Sequence, residues 1–338
     1  MTVHRVGASF RDPSGFMYVA GGRLFRQVNP SYRVQYDLLM RSGLYQTLTD
    51  KGWLIPHREA DAPIPADAYR ILEPRPVPYV SYPYEWCFSQ LQDAALLTLD
   101  IQIHSLSFGM TLKDASAYNV QFIGARPVFI DTLSFETYQD GAPWVAYRQF
   151  CQHFLGPLAL MGYRDLRLRR LQARFIDGLP LDLVAGLLPL RTRARYGLLA
   201  HLHLHAATQK RHHDAGNNGE VRIPKLPKAR LLALLQSLRA TVRGLHLPKH
   251  TTEWSEYYDN TNYSEEAMSA KEALVRRLVD LTAPATGLTH DIGANTGRFS
   301  RLVAGPDRYV ISHDIDELAV EHNDLEARRL GTHDVLPS

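Results

Sequence analysis

The chain has 338 residues, 45% of them hydrophobic and 22% charged, with a formal net charge of +3. At about 100 to 200 residues per domain, that length accommodates two domains with substantial cores. The excess of positive charge is too small for a nucleic-acid-binding surface, so no specific nucleic-acid partner is expected. Cys87 and Cys151 lie far apart and lack metal-ligand spacing, which implies reduced thiols and no zinc framework, although spacing alone does not rule out a bridge. The opening MTVHRVGASFRDPSGF has polar residues where an export signal needs an apolar core. The longest apolar stretch, LDLVAGLLPL at 181–190, is interrupted by Asp182 and Pro189 and falls short of the ~20 residues of a membrane span. A cytoplasmic protein is expected.

In chain order, GFMYVAGGRLFRQV (15–28) is β-branched and aromatic on both sides of Ala20-Gly21-Gly22 and predicts a β-hairpin. SYRVQYDLLMRSGLYQTL (31–48) has helical apolar spacing with a break at Gly43. The prolines of LEPRPVPYVSYPYEW (72–86) forbid a helix and predict an extended crossing. SQLQDAALLTLDIQIHSLSFG (89–109) returns to helical register, with Ser89 as N-cap and Gly109 as stop. Two short strands follow, YNVQFI and RPVFID, joined by Gly124-Ala125.

Residues 145–208 are expected to be mostly helical and include the basic amphipathic run YRDLRLRRLQARFIDGL. QKRHHDAGNNGEVRIPKLPK (209–228) predicts a loop, and ARLLALLQSLRATVRGL a further helix before a boundary near LPKHTTEW. His201, His203 and His205 in AHLHLHAA suggest metal at first sight. Without a carboxylate or cysteine beside them, a solvated helix end is the better reading.

The C-terminal pattern is the most informative. SEEAMSAKEALVRRLVDL predicts a helix started by Ser264; ATGLTHDIGANTG gives a strand and a glycine turn; GRFSRLVAG gives a helix and DRYVISHD a strand ending in Asp314. Gly293 and Gly297 permit a sharp turn and close backbone approach to a ligand, on which the next helix directs its free N–H groups. Asp314 falls where a carboxylate can accept hydrogen bonds from two ribose hydroxyls.

DIGANTGRFS resembles the first motif of class I S-adenosylmethionine-dependent methyltransferases, and WSEYYDNTNYSEEAMSAKEALV resembles the preceding segment of those of the rhizobial nodulation-protein type. The resemblance implies S-adenosylmethionine as cofactor. Asp291 would face its amino-acid end, Gly293, Asn295 and Gly297 would wrap its sulfonium and ribose, and Asp314 would take the ribose hydroxyls. It further implies Tyr263 and Lys271 as lid or carboxylate contacts. His290 departs from the apolar residue usual before the motif's Asp. In that family the acceptor site comes mainly from the fourth and later strands, whereas this chain stops near the third, at HDVLPS. The expectation is therefore a C-terminally truncated unit with weak cofactor binding and no turnover. Its methyl acceptor is unknown, and no catalytic base or adenine pocket can be named.

LKDASAYNVQFIGARPVFIDTLSFE (112–136) raises a second possibility. Asp114 precedes Asn119 with the spacing of a kinase catalytic loop, and Asp131 ends an apolar strand where a metal-binding carboxylate would stand. This part resembles aminoglycoside-phosphotransferase-type kinases, which implies ATP with Mg²⁺ as the alternative cofactor. Leu112, Lys113, Thr132 and Leu133 depart from that pattern, Arg23 or Arg26 would have to replace the strand lysine, and the following helix offers Asp37 but no Glu. The plain alternative is that these residues cap turns and end a strand.

The expected fold combines α/β and α+β: an N-terminal mixed α/β domain of kinase-like character over 1–249, with a small β-containing lobe to about residue 85, followed by an incomplete Rossmann-like methyltransferase domain over 250–338.

Overall fold

The computed structural model describes residues 3–7, 9, 12–63, 67–204, 225–248, 252, 264–282 and 287–338. Tyr263, His205, most of the 209–228 loop and the 254–263 segment lie outside the described residues. The architecture is mixed α/β.

The predicted hairpin forms from β2 (Gly15–Ala20) and β3 (Arg23–Val28). With β1 (Val3–Arg5), β4 (His57–Glu59) and β5 (Arg70–Pro74) it makes an antiparallel sheet of order β1-β2-β3-β5-β4. Alternation puts Phe16, Tyr18 and Ala20 on one face, where they pack with Phe25 and Ile71. On the other face Val28 and Leu72 meet Tyr32, Tyr36 and Leu133, which seats α1 (Arg33–Arg41) under the sheet. Gly43, at φ +81°, separates α1 from α2 (Leu44–Asp50), as its position in the sequence implied.

The Pro-rich segment runs without regular structure to α3 (Phe88–Leu106), the axis of the main core. Leu91, Ala94, Ala95, Leu99, Ile101 and Leu106 are all buried along one broad face of α3, and Gln92, Asp93, Leu96, Asp100, Ile103 and His104 form its half-buried side. Its buried polar groups are satisfied nearby: Thr98 and Ser105 donate to the carbonyls four residues back, and Gln102 engages Thr111 and the Leu112 N–H. The helix starts two residues earlier than predicted. Cys87 is its N-cap, with its N–H donated to the Gln90 side chain at 2.9 Å. Ser89 instead donates its N–H (2.9 Å) and its hydroxyl to Glu321, a carboxylate brought to the helix N-terminus from 232 residues away.

Two small antiparallel ladders follow: β6 (Met110–Leu112) with β9 (Phe135–Thr137), and β7 (Val120–Ile123) with β8 (Arg126–Phe129). The helical stretch beyond contains α4 (Gly156–Tyr163) and α5 (Leu181–Leu187). The basic run is not the continuous amphipathic helix predicted. It forms a 3₁₀ stretch, Leu166–Arg170, and a single turn, Leu171–Arg174, because Asp165 caps the first and Arg169 is drawn inward to the Tyr84 carbonyl at 2.6 Å. The histidines also depart from a solvated helix end. His201 is buried between Tyr147 (2.7 Å) and Ser237 (3.2 Å), and His203 is buried against Thr192 at 2.9 Å. Among the described residues no group of three or more metal-ligating side chains occurs, and no helix is long and apolar enough to cross a membrane. Cys87 and Cys151 are buried and unbridged.

α6 (Lys228–Arg243) packs along α3 and is tied to it by Arg239 and Asp100, 2.5 Å apart. The C-terminal segment contributes α7 (Glu265–Thr282), β10 (Gly287–Ile292), α8 (Arg298–Val303), β11 (Arg308–His313), α9 (Glu317–Leu330) and β12 (Val335–Pro337). The three strands are parallel in the order β10-β11-β12. The β12 side is buried: Gln90 donates to the Pro337 carbonyl at 2.9 Å, and Ile311 and Leu336 join the main core. The β7–β8 turn seats against the same sheet. There the Gly124 N–H donates to the Tyr309 hydroxyl at 2.7 Å, and a Cβ on Gly124 (φ +58°) would come within 2.7 Å of the His333 carbonyl oxygen. β10 lies at the other edge, with no second strand partner among the described residues.

Candidate functional site

The glycine turn follows β10 as expected, and its geometry accounts for each residue. Asp291 accepts the Ser300 hydroxyl at 2.7 Å, and Ser300 in turn meets Ser312 at 2.8 Å, so the carboxylate is held by α8 and β11 together. Gly293 adopts φ +77°, and the space a Cβ would take has no heavy atom within 4 Å among the described residues. Asn295 also has positive φ (52°), and its N–H donates to Asp314 Oδ2 at 2.7 Å. Asp314 Oδ1 accepts the Asp316 N–H at 2.9 Å. Gly297 (φ +75°) lies so close to α9 that a Cβ would stand 2.0 Å from Asn323 Oδ1. The structure thus brings Asp291, Gly293, Asn295, Gly297 and Asp314 to one end of the parallel sheet.

Lys271 places its ammonium 4.9 Å from the Phe299 ring centroid, on the helix that the turn opens. Tyr263 lies outside the described residues.

Sequence reading treated His290 only as a departure and passed over His313. The two rings stack 5.2 Å apart and nearly parallel, Nδ1 to Nε2 at 2.9 Å, immediately before Asp291 and Asp314. Tyr79 of the Pro-rich segment meets both rings edge-on. Burial first, and then His290, push the His313 imidazole down, against a smaller opposing pull from Asp291. No spacing signal could have paired these histidines, since each is only one strand residue among others.

Asp114, Asn119 and Asp131 meet in a second place, a cleft of about 570 Å³ between the N-terminal sheet and the body. Arg26 reaches in from β3 and binds Asp131 and Asp12, both at 2.8 Å, whereas Arg23 turns across the sheet to Glu73. Lys113 donates to Ser14 at 2.7 Å. Asp131 accepts the Leu133 N–H at 3.1 Å and the Ser134 hydroxyl at 2.5 Å; Asp114 accepts from Ser116 N–H and Gln149 at 2.9 Å. The turn-capping role weighed as the plain alternative is thus present, inside a cleft. Asp37 accepts the Tyr69 hydroxyl at 2.5 Å and is engaged away from Arg26.

A third cavity, of about 500 Å³, opens beside Asp314, between Ile315–Leu318 and the body residues Met161, Leu166, Leu247 and Pro248.

These features define a mixed α/β protein with a carboxylate-tipped glycine turn on a short parallel sheet and a cleft rich in charged groups. No family model matches the chain. Over 326 residues it is 32% identical to nodulation protein NoeA of Rhizobium meliloti (strain 1021), a match that takes in 94% of this chain and 67% of that protein. The chain belongs to the family of that protein. Among solved structures it has a likeness to vaccinia related kinase 3, with a TM-score of 0.31 and 12% identity over 81% of this chain and 86% of that one.

Proposed function

We propose that the chain serves S-adenosylmethionine-dependent methyl transfer, with residues 250–338 carrying the cofactor turn and 1–249 forming a mixed unit. The observation that carries the reading is the arrangement of Asp314. Its carboxylate closes the glycine turn by taking the Asn295 N–H, yet each oxygen keeps a second lone pair for a ribose hydroxyl. The open space over Gly293 is where a ligand can approach the backbone. These residues fit an adenosyl cofactor.

The group supplies an electrophilic methyl on a sulfonium. The chain's own residues would bind and orient it: Asp291 at the amino-acid end, the turn around the ribose, and Asp314 on the hydroxyls. The methyl acceptor is left unassigned. Titration calorimetry with S-adenosylhomocysteine tests the reading. Weak binding that Asp314→Ala abolishes supports it, and no binding by the wild type sinks it.

One observation favours a second reading: Asp114, Asn119 and Asp131 line a single cleft with Arg26 and Lys113. In this reading the cleft holds a nucleotide by its phosphates, on the two cations. Magnesium fits less well, because Arg26 already neutralises Asp131 and would have to be displaced. In a thermal-shift assay, ATP with and without Mg²⁺ should stabilise the wild type and leave Arg26→Ala unshifted. Equal shifts in both proteins would remove the reading.

A further inference from the structure

We infer that Asp12, in the turn between β1 and β2, is a built-in occupant of the charged cleft: its carboxylate sits on the cations that would take a ligand's phosphate, and a phosphate binds there by displacing it. This rests on the nucleotide reading of the cleft given above, and it adds the regulation of that site.

Three observations carry it. First, position: Asp12 Oδ2 accepts from one terminal nitrogen of Arg26 at 2.8 Å, while the other terminal nitrogen lies 2.8 Å from Asp131, and Asp12 Oδ1 stands 3.9 Å from the Lys113 ammonium. One acid group shared by a guanidinium and an ammonium is the arrangement that phosphate oxygens would adopt on the same pair. Arg26 Nε is buried with no acceptor among the described residues, so the protein does not saturate the guanidinium.

Second, charge: Arg26, Lys113 and Arg75 share the cleft lining with Asp12, Asp114 and Asp131, so an added phosphate meets repulsion unless a carboxylate leaves. The three acids are not held alike. Asp131 takes the Leu133 N–H and the Ser134 hydroxyl, and Asp114 takes the Ser116 N–H and the Gln149 amide. Apart from the cations, the Asp12 carboxylate has among the described residues only the Ser14 N–H of its own turn, at 2.9 Å. Asp12 is the acid that can leave.

Third, the turn does not need the charge. The Pro13 carbonyl accepts the Asn29 amide at 3.0 Å and the Ser31 hydroxyl at 3.2 Å, and the Ser14 carbonyl accepts the Asn29 N–H at 2.8 Å. Asparagine at position 12 would still accept the Ser14 N–H. What the acid adds over an amide is occupation of the two cations.

The test is titration calorimetry of the full chain with ATP and with tripolyphosphate, which has no base, both without Mg²⁺. Asp12→Asn should bind both probes about tenfold tighter than the wild type, the scale of one charge-assisted hydrogen bond no longer competing. Adding Arg26→Ala to Asp12→Asn should remove the gain. If the wild type binds as tightly as Asp12→Asn, the inference fails with the nucleotide reading intact. A gain that survives Arg26→Ala, or that appears with ATP and not with tripolyphosphate, also overturns it, because the effect then lies away from the cations. If neither protein binds either probe, the nucleotide reading fails and the inference falls with it. Should Asp12→Asn not fold, Asp12→Ser, whose hydroxyl can also accept the Ser14 N–H, decides in its place.

Discussion

Gly297 and Gly293 look alike in the sequence, and the structure separates them. Both have positive φ, so alanine at either is strained, at about 1 kcal/mol or somewhat more. At Gly297 the added Cβ must also push aside Asn323, which accepts from Arg301 and donates to Ser312, each at 2.7 Å. Each lost bond costs about 1 kcal/mol more. Gly297→Ala should therefore destabilise the protein by roughly 2 to 4 kcal/mol and Gly293→Ala by clearly less, as read by urea unfolding. Equal losses would show that α9 yields. The glycine turn was legible at this scale because its needs are local. The burial of His201 and His203 was not, because Tyr147, Thr192 and Ser237 come from other parts of the chain.

At the scale of elements, α9 is the piece that locks the C-terminal sheet to the body. Glu321 sits on the positive end of α3, and Arg328 bridges Asp324 and Asp93, both at 2.5 Å. Replacing Glu321 by Gln keeps the shape and removes the charge, and should cost about 1 to 2 kcal/mol in chemical denaturation. Asp324 is fully buried, and its carboxyl is pushed up to about 7, mainly by burial and partly by Glu321, with Arg328 opposing. The folded value lies above the unfolded one of about 4, so the folded chain binds the extra proton between these values. The associated stability is complete below about pH 4 and is lost as pH rises through about 7. Asp324→Asn does not titrate, so its melting temperature should fall less than the wild type's between about pH 5 and about pH 8. Parallel profiles would contradict the assignment. The helix register of α3 was visible in the sequence, but the junction was not: Ser89 looked like a cap, and the capping charge arrives from α9.

For the molecule as a whole, the Pro-rich segment separates the two candidate sites. Val77 and Val80 line the charged cleft, while Tyr79 between them packs on the His290–His313 pair ahead of the glycine turn. Among the described residues the opposite side of the parallel sheet has no covering strand. β10 exposes Leu288 and Ile292 (84% exposed), and α7 exposes Leu274, Leu278 and Leu281 at helical spacing. An apolar edge with no strand partner among the described residues favours association. Sedimentation velocity should show concentration-dependent self-association that Ile292→Lys reduces. A monomer at all concentrations would indicate that the edge is protected.

By itself the sequence determined what depends on near neighbours: the hairpin, the break at Gly43, the extended proline crossing, and the order of strand, glycine turn, helix and acidic strand end. Periodicity and backbone stereochemistry act over a few residues, so they are written locally. Only the tertiary structure decided what depends on distant ones. It selected Arg26 over Arg23 to meet Asp131, because β3 directs the one into the cleft and the other across to Glu73. It split the basic run by drawing Arg169 inward, and it set β12 and α9 on the N-terminal end of α3. The free energy of those choices comes from burial and from charges paired across more than two hundred residues, which no local pattern encodes.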